Sequence, residues 1–77
     1  MTLHGPCEFG MTSPSPDGGV AKLANESDVR ASYVDLRRPQ SGKEIRIQLE
    51  PLETTTVTLA PGEIDVTLGI YTRLEMA

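Results

Sequence analysis

The stretch KEIRIQLEPLETTTVTLAPGEIDVTLGIYT, residues 43–72, decides the fold because apolar and polar residues alternate along it. Its first part, EIRIQL, has a period of two, which is typical of a strand with one buried face. A second alternating run begins after Pro51, and a third begins after the turn signal Pro61-Gly62. The stretch therefore predicts three antiparallel strands joined by short loops.

The alternation also assigns one face of each strand to the protein interior. Apolar residues that share this face make up the predicted core, and they are Ile45, Ile47, Leu49, Val57, Leu59, Ile64, Val66, Leu68 and Ile70. Gly69 lies late in the third strand, where a glycine marks a bulge or a close approach of another backbone. The core is aliphatic, since the chain has only three aromatic residues and no tryptophan.

Two segments before residue 43 are harder to assign. Residues 20–24, VAKLA, are apolar but too short to classify by periodicity. Residues 27–38 fit either a short helix capped by Ser27 or a strand. We favour a strand over 31–38 because β-branched and aromatic residues cluster next to the turn signal at 39–42. The whole pattern predicts an all-β fold, a small antiparallel sandwich or barrel-like meander of about four to five strands.

The N-terminal residues differ in composition from the rest of the chain. Residues 1–19 contain four glycines, three prolines and no lysine or arginine. Prolines bias the residues before them toward extended conformations, which argues against a helix here. We therefore predict an extended arm, residues 1–19, joined to a small β-domain, residues 20–77. Because such an arm has no core of its own, we expect it to lie on a partner surface. Its candidate contacts are Leu3, Phe9 and Met11.

The small size of the chain favours association with other chains. A 77-residue, 8.3 kDa chain buries only about 60% of the surface that its unfolded form exposes. Proteins this small commonly rely on disulfides, a metal ion or oligomerisation. Cys7 is the single cysteine, so an internal disulfide is excluded. We expect contacts with other protein chains of a larger assembly, including copies of this chain.

His4 and Cys7 are the only imidazole and thiol, and they stand in an H-x-x-C spacing. A zinc site needs about four ligands, and no further ligands are evident nearby. A catalytic dyad is also not expected, because a Gly/Pro-rich arm gives reactive groups no rigid support. The sequence thus predicts no metal, no cofactor and no enzymatic activity. A metal-dependent regulator that uses His4 and Cys7 is the last of the alternatives.

The charge and the hydropathy pattern argue against two classes of partner. The net charge is −4 and the pI is near 4.8, whereas nucleic acids and anionic membranes attract a dense basic surface. The chain has no apolar run of the roughly 18–20 residues that span a bilayer. Its first residues do not resemble a secretory signal. We expect a protein made in the cytoplasm, and assembly into a released virion is compatible with this.

Two polar groups are candidate interaction sites. Arg37 and Arg38 could gather with Lys43 and Arg46 into a basic patch for an acidic partner or a phosphate. Cross-strand pairing of these cations with Asp35 and Glu44 is the commoner arrangement. The second group is a threonine row on one side of a strand, which is either a polar outer face or an edge that pairs with another chain. It consists of Thr54, Thr56 and Thr58.

These observations predict a non-enzymatic structural or interaction protein. It would join a larger protein assembly through its arm and its β-domain, in the manner of a capsid decoration or minor capsid protein. The alternative is a free-standing β-module that acts as an adaptor for one protein partner. A shell component should associate in solution, whereas an adaptor should be a stable monomer.

Overall fold

The computed structural model describes residues 1–6 and 17–77. Seven strands lie in this part of the chain: β1 (Thr2–His4), β2 (Gly19–Asn25), β3 (Ser32–Arg37), β4 (Glu44–Leu49), β5 (Thr54–Leu59), β6 (Asp65–Leu68) and β7 (Thr72–Met76). They form two antiparallel sheets. Sheet A has the order β1-β7-β2-β5, and sheet B has the order β4-β3-β6.

The two sheets pack face to face around one apolar core. Both sheets contribute buried residues to it: Ala21, Leu23, Leu59 and Leu74 from sheet A, and Val34, Leu36, Leu49, Val66 and Leu68 from sheet B, with Ile64 beside them. The predicted all-β antiparallel sandwich is confirmed. The described residues hold seven strands rather than four or five, and β3 and β4 are the only consecutive strands that pair.

The strands that were not predicted, β1, β2 and β7, all lie in sheet A. Leu3, Leu74 and Leu23 lie side by side across β1, β7 and β2, and all three face the core. The strand β7 and the apolar segment at 20–24 were not assigned from the sequence, because each is too short to show a clear period. Each strand becomes stable by pairing with its neighbours and by burial of one face.

The predicted core is mostly correct but has two errors. Leu49, Leu59, Ile64, Val66 and Leu68 are buried, and Ile47 and Val57 pack partly buried against them. Ile45 and Ile70 are exposed instead. Ile45 lies on an edge strand, where sheet A does not cover it. Ile70 follows the end of β6, so it no longer belongs to the alternating pattern.

The strand predicted over residues 31–38 is confirmed as β3, the central strand of sheet B. The close approach predicted at Gly69 is also confirmed. A Cβ atom there would lie 2.5 Å from the Ser32 hydroxyl oxygen and 3.0 Å from the Tyr33 carbonyl oxygen. Only glycine fits this contact without a shift of the neighbouring strand.

The first residues of the predicted arm belong to sheet A. Thr2–His4 pairs with β7, and the Gly5 N–H continues the contact by donating to the Thr72 carbonyl oxygen at 2.9 Å. Leu3 packs against the core of its own chain, which differs from its predicted role as an exposed contact with a partner. The backbone of these residues is satisfied by an edge of the sheet that the sequence did not reveal.

A buried asparagine fixes the loops at one end of the sandwich. The Asn25 amide nitrogen donates to the carbonyl oxygens of Arg30 at 2.6 Å and Leu49 at 3.2 Å. Its side-chain oxygen accepts the Ser27 N–H at 3.0 Å. Asn25 is almost fully buried, so these bonds replace the water that its amide loses on folding. They attach the end of β4 to sheet A.

Candidate functional site

Strand β5 forms one edge of sheet A and carries the predicted threonine row. Among the described strands it pairs with β2 alone, so one side of its backbone has no strand beside it there. Thr54, Thr56 and Thr58 are exposed on the outer face, whereas the residues between them face inward. The structure therefore places the row on a sheet edge.

This edge has none of the features that usually prevent strand pairing. The sequence TTTVTL contains no charged residue, no proline and no glycine. Its register with β2 is continuous from Thr54 to Leu59, so no bulge twists it away. Natural proteins protect exposed edges with charges, prolines or bulges, and an edge without them is a template for another strand.

A groove of about 150 Å³ opens at the end of β5, between the two sheets. Its apolar wall includes Ile45, which is 54% exposed although it lies opposite Leu36 on the inner face of sheet B. Among the described residues, the charged members of the lining are both cations. Leu36, Ile45, Leu59 and Ile64 line the groove together with Arg38 and Lys43. No other described residue covers the core beside the β5 edge.

The other end of β5 is acidic and presents an exposed leucine. Glu50 and Glu53 are exposed in the turn that precedes β5, and the Glu53 N–H closes that turn on the Glu50 carbonyl oxygen at 2.9 Å. Leu52 is 62% exposed and has a φ of 59°, a left-handed conformation that is uncommon for a residue other than glycine. The turn therefore holds an apolar side chain in solvent.

The predicted basic patch is divided between two sides of sheet B. The Arg37 guanidinium lies 2.9 Å from the Asp65 carboxylate on the neighbouring strand. Arg38 instead lines the groove and donates to the Ala60 carbonyl oxygen at 3.4 Å. Adjacent residues of a strand point to opposite faces, so these two arginines do not form one surface.

Arg46 is paired within its own sheet. Its guanidinium donates two hydrogen bonds to the Asp35 carboxylate, at 2.8 and 2.9 Å, and lies 4.3 Å from the centre of the Tyr33 ring. The hydrogen bond and the charge of Asp35 raise the pKa of Arg46 above its usual value. Cross-strand pairing, the commoner arrangement named from the sequence, is confirmed for Arg46 and Asp35.

The remaining candidates are His4, Cys7, Phe9 and Met11. His4 is exposed on β1 and lies opposite Arg73. Cys7, Phe9 and Met11 fall outside the described residues, so their roles stay predictions. Within residues 1–6 and 17–77, no group of three or more His, Cys, Asp or Glu side chains is arranged to hold a metal ion.

A second concave surface contains no residue of β5. It is a mainly apolar cleft of about 350 Å³, built from the start of β3 and the residues before it, the connection between β6 and β7, and Pro6, the second residue after β1. Its aromatic and apolar walls come from Pro6, Tyr33, Leu68, Ile70 and Tyr71. The volume falls within the usual range for ligand sites in proteins.

The rim of this cleft is formed by a rigid turn. Tyr71 is 52% exposed and has a φ of 67°, a strained conformation for an aromatic residue. The Ser32 hydroxyl donates to the Ile70 carbonyl oxygen at 2.8 Å, and the Glu26 N–H donates to the Tyr71 carbonyl oxygen at 2.8 Å. These bonds hold two large apolar side chains, Ile70 and Tyr71, toward solvent.

The threonine row was predicted from the sequence, whereas the exposure of Leu52 and Tyr71 was not, and Ile70 was wrongly assigned to the core. The sequence could have indicated the unusual backbone of Leu52, because a proline precedes it and the residue after proline in a turn often has a positive φ. For Tyr71 the only signal was the neighbouring Gly69. The exposure of these side chains depends on contacts between distant strands.

Comparison with known proteins gives no relative for this chain. No protein-family model, no curated protein and no solved structure matches it. In the described part of the chain there is no helix long and apolar enough to cross a membrane.

Proposed function

We propose that this chain is a non-enzymatic interaction protein that joins a larger protein assembly by pairing strand β5 with a strand of a neighbouring chain. The observation that carries the proposal is the edge itself, a six-residue uncharged strand beside an uncovered part of the core. Strand addition satisfies unpaired backbone groups and buries apolar side chains in one step.

A second copy of the chain is the neighbour that this edge fits best. Antiparallel pairing of β5 with itself about Thr56 places Thr54 of each copy opposite Thr58 of the other. No like charges meet, and threonines face threonines, a favourable cross-strand pair. Such pairing is self-complementary, as a two-fold interface requires.

The groove and the preceding turn support the same pairing. In this register the turn residue Leu52 of each copy lies beside Ala60 of the other, next to the groove that exposes Ile45. An exposed leucine would thus meet an apolar groove twice in one dimer, and Ile45 would lose its contact with water.

Charges at the two ends of the edge are complementary in this arrangement. Glu50 and Glu53 precede β5, whereas Arg38 and Lys43 line the groove at its end. Antiparallel pairing brings the acidic end of each copy to the basic end of the other. Complementary charges steer association and fix the register of an interface.

The setting favoured by these properties is a component of a regular shell, such as a capsid decoration or minor capsid protein. There a two-fold contact through β5 would link neighbouring copies, and Phe9 and Met11 of the arm would provide a further contact. A free-standing adaptor with one protein partner is the alternative, and it would use the same edge while remaining monomeric alone.

Light scattering coupled to size-exclusion chromatography tests the proposal over a range of protein concentrations. We expect the wild-type protein to form dimers or larger species. Thr56→Lys combined with Thr58→Lys should give a monomer, because the lysines place like charges across the two-fold contact. Circular dichroism should show that the variant keeps its β structure.

Thr2→Lys is the control, because it places a lysine on the opposite edge of sheet A. This variant should associate like the wild type. A wild-type protein that stays monomeric at every concentration would favour the adaptor. Equal association of the double lysine variant would show that β5 does not make the contact.

A further inference from the structure

We infer that the cleft lined by Tyr33 and Tyr71 binds an acidic, proline-containing peptide in an extended conformation. The cleft lies beside β1 and the β6–β7 connection, whereas the proposed association uses β5 at the opposite edge of sheet A. No residue of the cleft lining takes part in the proposed association, so either interaction can be tested without the other.

The shape of the cleft fits a short peptide segment. Tyr33, Tyr71 and Pro6 provide flat or rigid apolar surfaces around a volume of about 350 Å³. The strained backbone at Tyr71 is held by hydrogen bonds to the Ile70 and Tyr71 carbonyl oxygens, so the backbone that carries the ring is fixed before any ligand arrives. A preformed site loses less entropy on binding than a flexible one.

Proline is favoured because several backbone carbonyl oxygens around the cleft already accept hydrogen bonds. The Gly69 N–H donates to the Tyr33 carbonyl oxygen at 2.9 Å, and the Gly69 carbonyl oxygen accepts the Thr72 hydroxyl at 2.6 Å. The carbonyl oxygens of Ile70 and Tyr71 are occupied as described above. The backbone N–H groups of a docked peptide would therefore meet carbonyl oxygens that are already occupied, and a donor left unsatisfied on burial costs free energy.

Proline has no backbone N–H, and consecutive prolines adopt the polyproline II conformation without ordering from a flexible chain. Rings of proline residues pack well in aromatic-lined grooves. The occupied backbone carbonyl oxygens of the cleft thus favour a proline-containing segment over one rich in backbone N–H groups.

Arg30 gives the cleft its preference for an acidic ligand. Among the described residues of the lining it is the charged one, and it makes no ion pair with another described residue. Its backbone is fixed on both sides, because its N–H donates to the Ser27 hydroxyl and its carbonyl oxygen accepts the Asn25 amide. A carboxylate one or two residues from a docked proline would pair with this guanidinium.

Fluorescence anisotropy with a labelled peptide of sequence DPPDPP tests the inference on the full chain. We expect saturable binding that weakens with added salt. The peptide KPPKPP, with reversed charge, and the peptide DAADAA, without proline, should each bind at least about tenfold more weakly. Equal binding of DAADAA would overturn the role of proline, and no saturation by DPPDPP up to about 1 mM would overturn the site.

Two variants and a matched control test the residues. Tyr71→Gly removes the ring and also suits the positive φ, so the protein should fold and bind DPPDPP about tenfold more weakly. Arg30→Gln should weaken binding and remove most of its salt dependence. Lys22→Gln is the matched control for Arg30→Gln, because it also removes one positive charge but from an exposed residue outside the cleft lining, and it should bind like the wild type. Unchanged binding by Tyr71→Gly would place the peptide elsewhere on the protein.

Discussion

Strands β4 and β5 border the same open side of the sandwich, but they carry different side chains toward solvent. The sequence of β4, EIRIQL, contains Glu44 and Arg46 and follows Lys43, whereas β5 has no charged residue. Both strands are edges, β4 of sheet B and β5 of sheet A. A strand that approaches β4 would have to bury or displace these charges, and one that approaches β5 would not.

The difference shows how one small sandwich can protect one edge and leave another open. On β4, Arg46 bonds to Asp35 in its own sheet, so its charge is already satisfied and would gain little from a partner. On β5 the threonines suit an extended strand without repelling a neighbouring chain. Selective association therefore needs no change of fold, only a different set of outward-facing residues on the two edges.

The largest effect that we predict distinguishes the two ends of β4. Leu49→Ala should lower the free energy of unfolding by about 2–5 kcal/mol, because Leu49 is 0% exposed and its truncation leaves a cavity. Ile45→Ala, on the same face of the same strand, should cost about 0.5 kcal/mol or less. Urea denaturation measures both. Equal losses would mean that the groove beside β5 is closed in solution.

A smaller effect concerns the attachment of β4 to sheet A. Asn25→Ala should cost about 1–3 kcal/mol, since it leaves buried carbonyl groups of Leu49 and Arg30 without a donor. Amide hydrogen exchange should accelerate at the end of β4 more than along β5. Lys22→Ala, an exposed change in the same strand, is the control. If Asn25→Ala and Lys22→Ala were equally stable, the asparagine would not link the two strands.

The smallest effect concerns the turn that joins β4 to β5. Leu52→Gly should raise the free energy of unfolding by up to about 1 kcal/mol in dilute protein, because glycine adopts a positive φ without strain. Leu52→Ala keeps the strain and should give no gain. Both variants should associate more weakly than the wild type if Leu52 enters the groove of a second copy. A loss of stability in Leu52→Gly would contradict the left-handed turn.

The alternating pattern of residues 43–72 was enough to predict the fold class. Strands β4, β5 and β6 lie within that stretch, and the period of two assigned most of their inward faces correctly. The strand β3 followed from residue type and from the turn signal after it. These features are local, because they depend on the geometry of a single extended chain.

Strands β1, β2 and β7 were not predicted because their sequences are short and their partners are distant in the chain. β1 pairs with β7 and β2 pairs with β5, contacts that no local pattern encodes. The errors at Ile45 and Ile70 have the same origin. An apolar residue in an alternating run is buried only if another layer covers it.

The sequence by itself determined an all-β protein, its main turns and a row of threonines on one face of a strand, because period and turn residues act over a few neighbouring positions. Only the tertiary structure decided that this strand is an edge, that a groove exposes Ile45 beside it, and that Tyr33 and Tyr71 border one cleft. Those properties depend on the order of strands in two packed sheets. The strand order depends on which distant segments bury their apolar faces together and pair their backbones, and the sequence of one strand does not determine this.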